Sequence, residues 1–188
     1  MRPIANTRSA AGIPTGRLAV WWVVASEIVI FGGLLASYVL HRLGNPEWAG
    51  HAAHTNVWLG GTNTFVLLTS SLSAVLAHKA AEAGDGKKAA RLLYFTCLGA
   101  VAFLCIKAFE WTTEIQAGYT LTSSTLGSFF YLIVGIHALH AVGGITMLCV
   151  VWMRLVRVQL SAGTFQAAAL FWYFVVALWP ILYLQVYF

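Results

Sequence analysis

Five long apolar runs alternate with short segments that are polar, charged or punctuated by Gly and Pro. The runs cover about 18–40, 57–80, 92–111, 126–152 and 165–188. A helix needs about 20 apolar residues to cross the hydrocarbon core of a bilayer, and each run is long enough. The pattern therefore predicts an all-α fold, a bundle of five transmembrane helices in one unit (18–188) preceded by a polar N-terminal segment (1–17). The stretch 127–151, GSFFYLIVGIHALHAVGGITMLCVV, contains no Lys, Arg, Asp or Glu and places His137 and His140 near mid-membrane. Hydrocarbon supplies no water to such groups, so they are expected to face protein or a polar cavity. Gly135, Ala138, Ala141, Gly143 and Gly144 surround them, and small residues let helices approach closely.

Taken in order, the other runs carry their own polar groups. The first has Trp21 and Trp22 near its start, as expected of rings at the headgroup level. Glu27 lies about 15 Å along that helix from Arg17 at 1.5 Å per residue, deep enough that its carboxyl must be protonated or paired. The second run holds Thr62, Thr64, Thr69, Ser70, Ser71 and Ser73, whose hydroxyls can bond their own backbone. Asn63 demands more and should face another helix. Lys107 and Glu110 close the third run at i, i+3 spacing, within ion-pair reach, and near a membrane surface they read as a lysine snorkelling toward water with its counterion beside it. The following segment, WTTEIQAGYTLTSST, reads as a loop without a basic residue.

Composition narrows the class. Apolar residues make up 60% and charged residues 9%, against about 25% charged in soluble domains. The net charge of +5 comes from bases gathered between the apolar runs, which reports topology rather than nucleic-acid binding. Arg2, Arg8 and Arg17, then Lys79, Lys87, Lys88 and Arg91, then Arg154 and Arg157 fall on one side; Arg42 falls on the other. The N-terminus is thus expected in the cytoplasm and the C-terminus outside. No apolar segment with a small-residue cleavage site precedes the first run, so no cleaved signal peptide is read. Cys97, Cys105 and Cys149 lie in the runs without CxxC spacing and read as packing residues. His41, His51 and His54 lack regular ligand spacing and read as surface residues.

Together the polar positions resemble subunit III of the heme-copper oxidases, the family of cytochrome c and quinol oxidases. Ser26-Glu27 followed by Phe31 is similar to the family's SE-x-x-x-F segment. Thr62-Asn63-Thr64 leading to Leu67-Leu68-Thr69-Ser70-Ser71 resembles NT-x-x-LL-x-SS, and Lys107-Ala108-Phe109-Glu110-Trp111 resembles K-A-x-E-Y. Gly127-Ser128 with Phe130-Tyr131, Gly135, His137 and His140 resembles GS-x-FY-x-x-x-G-x-HG-x-H. Four motifs stand in family order from about Trp21 to Tyr187. In the last run, Trp172 to Trp179 aligns with WHFVD-x-x-W, but Tyr173 replaces the histidine and Val176 the aspartate. Losing both partners of a polar contact together is less costly than losing one. The chain reads as a divergent member of the bacterial five-helix form.

The resemblance implies an accessory subunit in the bacterial inner membrane. It would bind no heme or copper itself, pack on the catalytic subunit I and other oxidase subunits, and bind phospholipid between its helices. It would support assembly, proton uptake and stable turnover. Glu27 would be the intramembrane carboxylate of a lipid-facing cleft. Asn63, Lys107, Glu110, His137, His140 and Tyr173 would form intramembrane polar networks, none of them catalytic or a metal ligand. Whether Glu27 is only a structural hydrogen-bonding group stays open at this point, as does the choice between cytochrome c oxidase, quinol oxidase and a nitric oxide reductase partner. Two other classes remain to compare. A b-type cytochrome would need histidines on opposite heme faces, and His137 and His140 are one turn apart on one helix. A small transporter could use Glu27, Glu110 and the histidines, but no internal repeat is visible.

Overall fold

The computed structural model describes residues 15–45, 56–157 and 162–188. The N-terminal stretch 1–14 with Arg2 and Arg8, and the loop histidines His51 and His54, lie outside the described residues. Within them are five helices: α1 (Thr15–Gly44), α2 (Val57–Glu82), α3 (Gly86–Gln116), α4 (Thr125–Arg157) and α5 (Ala162–Tyr187). By length and composition all five can cross a membrane.

Local chemistry sets the helix ends. Asn56 caps α2 by accepting from the Leu59 N–H at 3.0 Å, and Asp85 caps α3 by accepting from the Lys88 N–H at 3.0 Å. The C-terminal ends of α2 and α3 close in the same way. Gly84 (φ 79°) and Gly118 (φ 85°) turn left-handed just past each helix. The next residue then donates back across the last turn, Asp85 N to Ala80 O at 3.0 Å and Tyr119 N to Glu114 O at 2.9 Å. An L side chain is disfavoured in that conformation, so glycine is the physical stop signal. α3 therefore starts at Gly86 and runs to Gln116, well past the apolar run 92–111 at both ends.

Packing follows chain order from α2 through α5 and departs from it at α1. α2 packs on α3 and α5, α3 also on α4, and α1 mainly on α5 and α4. Successive helices α1 and α2 are thus not close partners. In its most apolar window, half of α5 is buried against 11% of α1. The last helix is the centre of the bundle and the first is its rim. Close helix approaches need missing side chains: a Cβ on Gly99 would meet Ser70 Cβ at 2.7 Å (α3 on α2), and one on Gly144 would meet Trp172 Cε3 at 2.9 Å (α4 on α5). α1 has a different anchor at its end, where Arg42 donates to the carbonyls of Gln185 at 3.2 Å and Phe188 at 2.5 Å. These belong to the last turn of α5 and the residue after it, whose free carbonyls favour a cation.

Candidate functional site: two intramembrane polar centres

The six polar residues singled out with Glu27 divide between two centres and one isolated position. At the rim, Glu27 of α1 brings Oε2 to 3.1 Å from His140 Nε2 of α4, with side chains 13% and 22% exposed. His140 Nδ1 is 2.8 Å from the Ile136 carbonyl. A carbonyl only accepts, so Nδ1 carries a proton and Nε2 is the atom left to meet the carboxyl. Glu27 Oε2 has no hydrogen-bond partner among the described residues, so the two groups face each other at contact distance without hydrogen-bond geometry. The imidazole is fixed from two sides, edge-on to Phe31 of α1 with ring centres 5.6 Å apart and tilted against Phe171 of α5 at 6.3 Å. Three helices thus meet on one ionisable pair, which is partly accessible from the bundle surface.

The second centre is sealed. His137 is fully buried. It lies beside Trp179 with ring centres 4.9 Å apart and meets the Phe103 ring edge-on at 5.9 Å. Neither ring nitrogen has a hydrogen-bond partner among the described residues. Asn63 faces another helix, donating to the Phe103 carbonyl of α3 at 3.2 Å. Trp179 Nε1 donates to Thr64 Oγ1 at 2.9 Å, and that hydroxyl donates to the Gly60 carbonyl at 2.8 Å.

On the same side of α3, Lys107 Nζ donates to Glu110 Oε2 at 2.5 Å and to the Tyr187 hydroxyl. Tyr187 in turn donates to Glu110 Oε1 at 2.7 Å. Both carboxyl oxygens are engaged, and the ammonium lies 5.0 Å from the ring centres of Trp179 and Tyr187. Lys107 and Glu110 are only 2% and 1% exposed, so this is a buried ion pair rather than a lysine reaching for the membrane surface. Such a pair persists when its geometry and additional hydrogen bonds offset desolvation.

Tyr173 joins neither centre. It is half-buried on α5, and its hydroxyl has no hydrogen-bond partner among the described residues. Val176, where the related motif has aspartate, is buried.

Several contributors escaped sequence reading. Glu114, placed in a loop by the apolar pattern, is buried one turn beyond Glu110 on α3. Its Oε2 lies 3.4 Å from Tyr131 Oη, which donates to the Tyr119 carbonyl at 2.7 Å. In that loop, burial pushes the Tyr119 phenol up to about 12. The i, i+4 step from Glu110 to Glu114 was the available signal. Tyr187 gave none, because its partners are far away in sequence; Thr64 was legible for the bond to its own backbone at Gly60 but not for the one it accepts from Trp179. Cys97 and Cys149 likewise meet across α3 and α4, with Sγ atoms 3.7 Å apart.

A family model described as Cytochrome c oxidase subunit III matches residues 10–188. Among curated proteins, the chain is 33% identical to cytochrome c oxidase subunit 3 of Corynebacterium diphtheriae over 88% of its own length and 83% of the relative's. It is 30% identical to a probable cytochrome c oxidase subunit 3 of Nocardia farcinica, over 90% of this chain and 84% of that one. It is also 30% identical to cytochrome c oxidase subunit 3 of Bos taurus, with 87% of this chain and 66% of the bovine one aligned.

Proposed function

The chain belongs to the cytochrome c oxidase subunit III family, and from that premise we propose that it is the non-redox accessory subunit of a bacterial terminal oxidase. It packs on the heme- and copper-bearing catalytic subunit I, in the inner membrane, with its N-terminus in the cytoplasm and its C-terminus outside. Its contributions are assembly, phospholipid binding and support of proton uptake during sustained turnover. The orientation is supported by the bases Lys79, Lys87, Lys88, Arg91, Arg154 and Arg157, all at one end of the helices.

One observation carries the proton and lipid part of this reading, the Glu27–His140 contact at 3.1 Å. Buried structural pairs are sealed, as Lys107–Glu110 is. The rim pair instead remains partly accessible, on a helix most of whose surface is uncovered. An ionisable pair exposed toward lipid costs free energy that packing alone would remove, so it suits a task at that surface. Holding one proton, it can order a lipid headgroup or polar lipid linkage nearby, and can keep a proton close to the interface with the catalytic subunit. The sealed centre around Lys107, Glu110, His137 and Asn63 is the frame that fixes α2, α3, α4 and α5 around it.

The test is Glu27→Gln in the complete oxidase. The variant is expected to assemble with an unchanged reduced-minus-oxidised heme spectrum, yet to lose activity faster during continuous turnover. Equal inactivation rates for variant and wild type would remove Glu27 from the proposed role. Purification in mild detergent addresses the larger assignment: co-purifying heme subunits support it, and heme type separates cytochrome c oxidase from quinol oxidase and nitric oxide reductase. A chain that emerges alone, colourless and active in ion transport would overturn it.

A further inference from the structure

Glu114 is the one buried carboxyl, among the described residues, that neither centre above employs. It is 5% exposed, and its Oε1 has no hydrogen-bond partner among the described residues. Its Oε2 lies 3.4 Å from Tyr131 Oη, and Tyr131 Oη lies 2.7 Å from the Tyr119 carbonyl oxygen. A phenol has a single proton to donate. The Tyr119 carbonyl can only accept, and its shorter contact takes that proton. Tyr131 Oη is then left as an acceptor toward Glu114, and a carboxyl group can donate only as the acid.

Charge balance leads to the same state by a separate route. The groups facing this region are Lys107 and Glu110 of α3, Tyr131 of α4, Tyr187 of α5 and Tyr119 of the loop. Lys107 is the cation among them, and Glu110 already engages it with Oε2 while receiving Tyr187 on Oε1. A second carboxylate one turn away would add a negative charge to a buried site with one oxygen unpartnered. Leaving a charge buried and half-bonded costs far more than leaving a neutral carbonyl oxygen so.

We propose that Glu114 is a proton-binding site of the bundle: a neutral carboxylic acid that donates to Tyr131, which donates onward to the carbonyl of Tyr119. The chain runs from beside the buried Lys107–Glu110 pair to the loop 117–124. Its proton therefore exchanges at that end of the bundle, the end away from Lys87, Lys88 and Arg154. The site is separate from Glu27, which lies on another helix and pairs with His140.

Infrared difference spectroscopy on the intact complex in lipid tests this. Subtracting the Glu114→Gln spectrum from wild type at neutral pH is expected to isolate one carboxylic-acid C=O band, which shifts when H2O is replaced by D2O. If that variant does not assemble, Tyr131→Phe serves instead: it removes the acceptor, so the acid band should persist and move to higher frequency. Loss of carboxylate bands in Glu114→Gln, or a Tyr131→Phe spectrum unchanged in the acid region, would overturn the proposal.

Discussion

Glu27 Oε2 and His140 Nε2 lie 3.1 Å apart across the boundary between α1 and α4. Residues of α1 and α4 that meet this way must act together, because each is the other's partner in a setting without water. Removing one leaves the other polar in the bilayer, and removing both does not repeat the loss. His140→Leu is therefore expected to reproduce the faster turnover inactivation of Glu27→Gln. The double variant should be no worse than either single one, and a double-mutant cycle on inactivation rates measures that coupling. Additive losses would mean that the two side chains act separately.

The sealed ion pair makes the opposite kind of prediction, one of stability. Lys107→Met strands the Glu110 carboxyl in the core, and stripping one partner from a buried pair costs about 3–5 kcal/mol. Lys107→Met with Glu110→Gln removes the charge as well as its partner and should recover much of that loss. Thermal unfolding of the purified complex should rank wild type first, the double variant next and the single variant last.

Helix contacts through glycine are tested by adding one methyl group. In Gly99→Ala the new Cβ would meet Ser70 Cβ at 2.7 Å, and overpacking of this kind costs about 1–3 kcal/mol. Ser70→Ala keeps that Cβ and should give no relief. Ser70→Gly removes it and should restore much of the Tm lost by Gly99→Ala.

Arg42 offers a check on how the rim helix is held. Its two hydrogen bonds to the Gln185 and Phe188 carbonyls tie α1 to the end of α5. Hydrogen bonds involving a charged group contribute about 1.5–3 kcal/mol each in net terms, with the exposed bond to Phe188 at or below the lower end. Arg42→Ala should loosen α1, read as increased deuterium uptake in its last turns while α3 is unchanged. Arg17→Ala, at the exposed start of the same helix, should leave that uptake as in wild type.

The helices were legible because hydrocarbon imposes a minimum apolar length, and the five runs meet it. Their ends were less so, because a transmembrane helix continues into polar residues as long as its backbone bonds are satisfied. α3 begins at Gly86 among lysines and ends at Gln116, with Gly118 turning the chain just beyond, both ends set by capping rather than by hydropathy. That is why Glu114 reads as a loop residue and is a buried helical one. His137 and His140 were legible as functional candidates but not as members of different centres. Three residues on a helix turn a side chain by about 60° net at 3.6 residues per turn, enough to send one to α1 and the other to α3 and α5. Tyr187, Thr64 and Cys149 contact partners across the bundle, and no local pattern encodes such pairings.

The placement of α1 on α4 and α5 also has a consequence in time. More than a hundred residues separate Glu27 from His140, so a ribosome adding about 5–20 residues per second leaves Glu27 waiting on the order of ten seconds. During that interval α1 has been delivered to the membrane while its principal neighbours are still being made. The rim helix must be held by the insertion machinery, by lipid or by an earlier-made subunit until the last helix arrives. Biogenesis of this subunit thus ends, rather than begins, with the capture of its first helix.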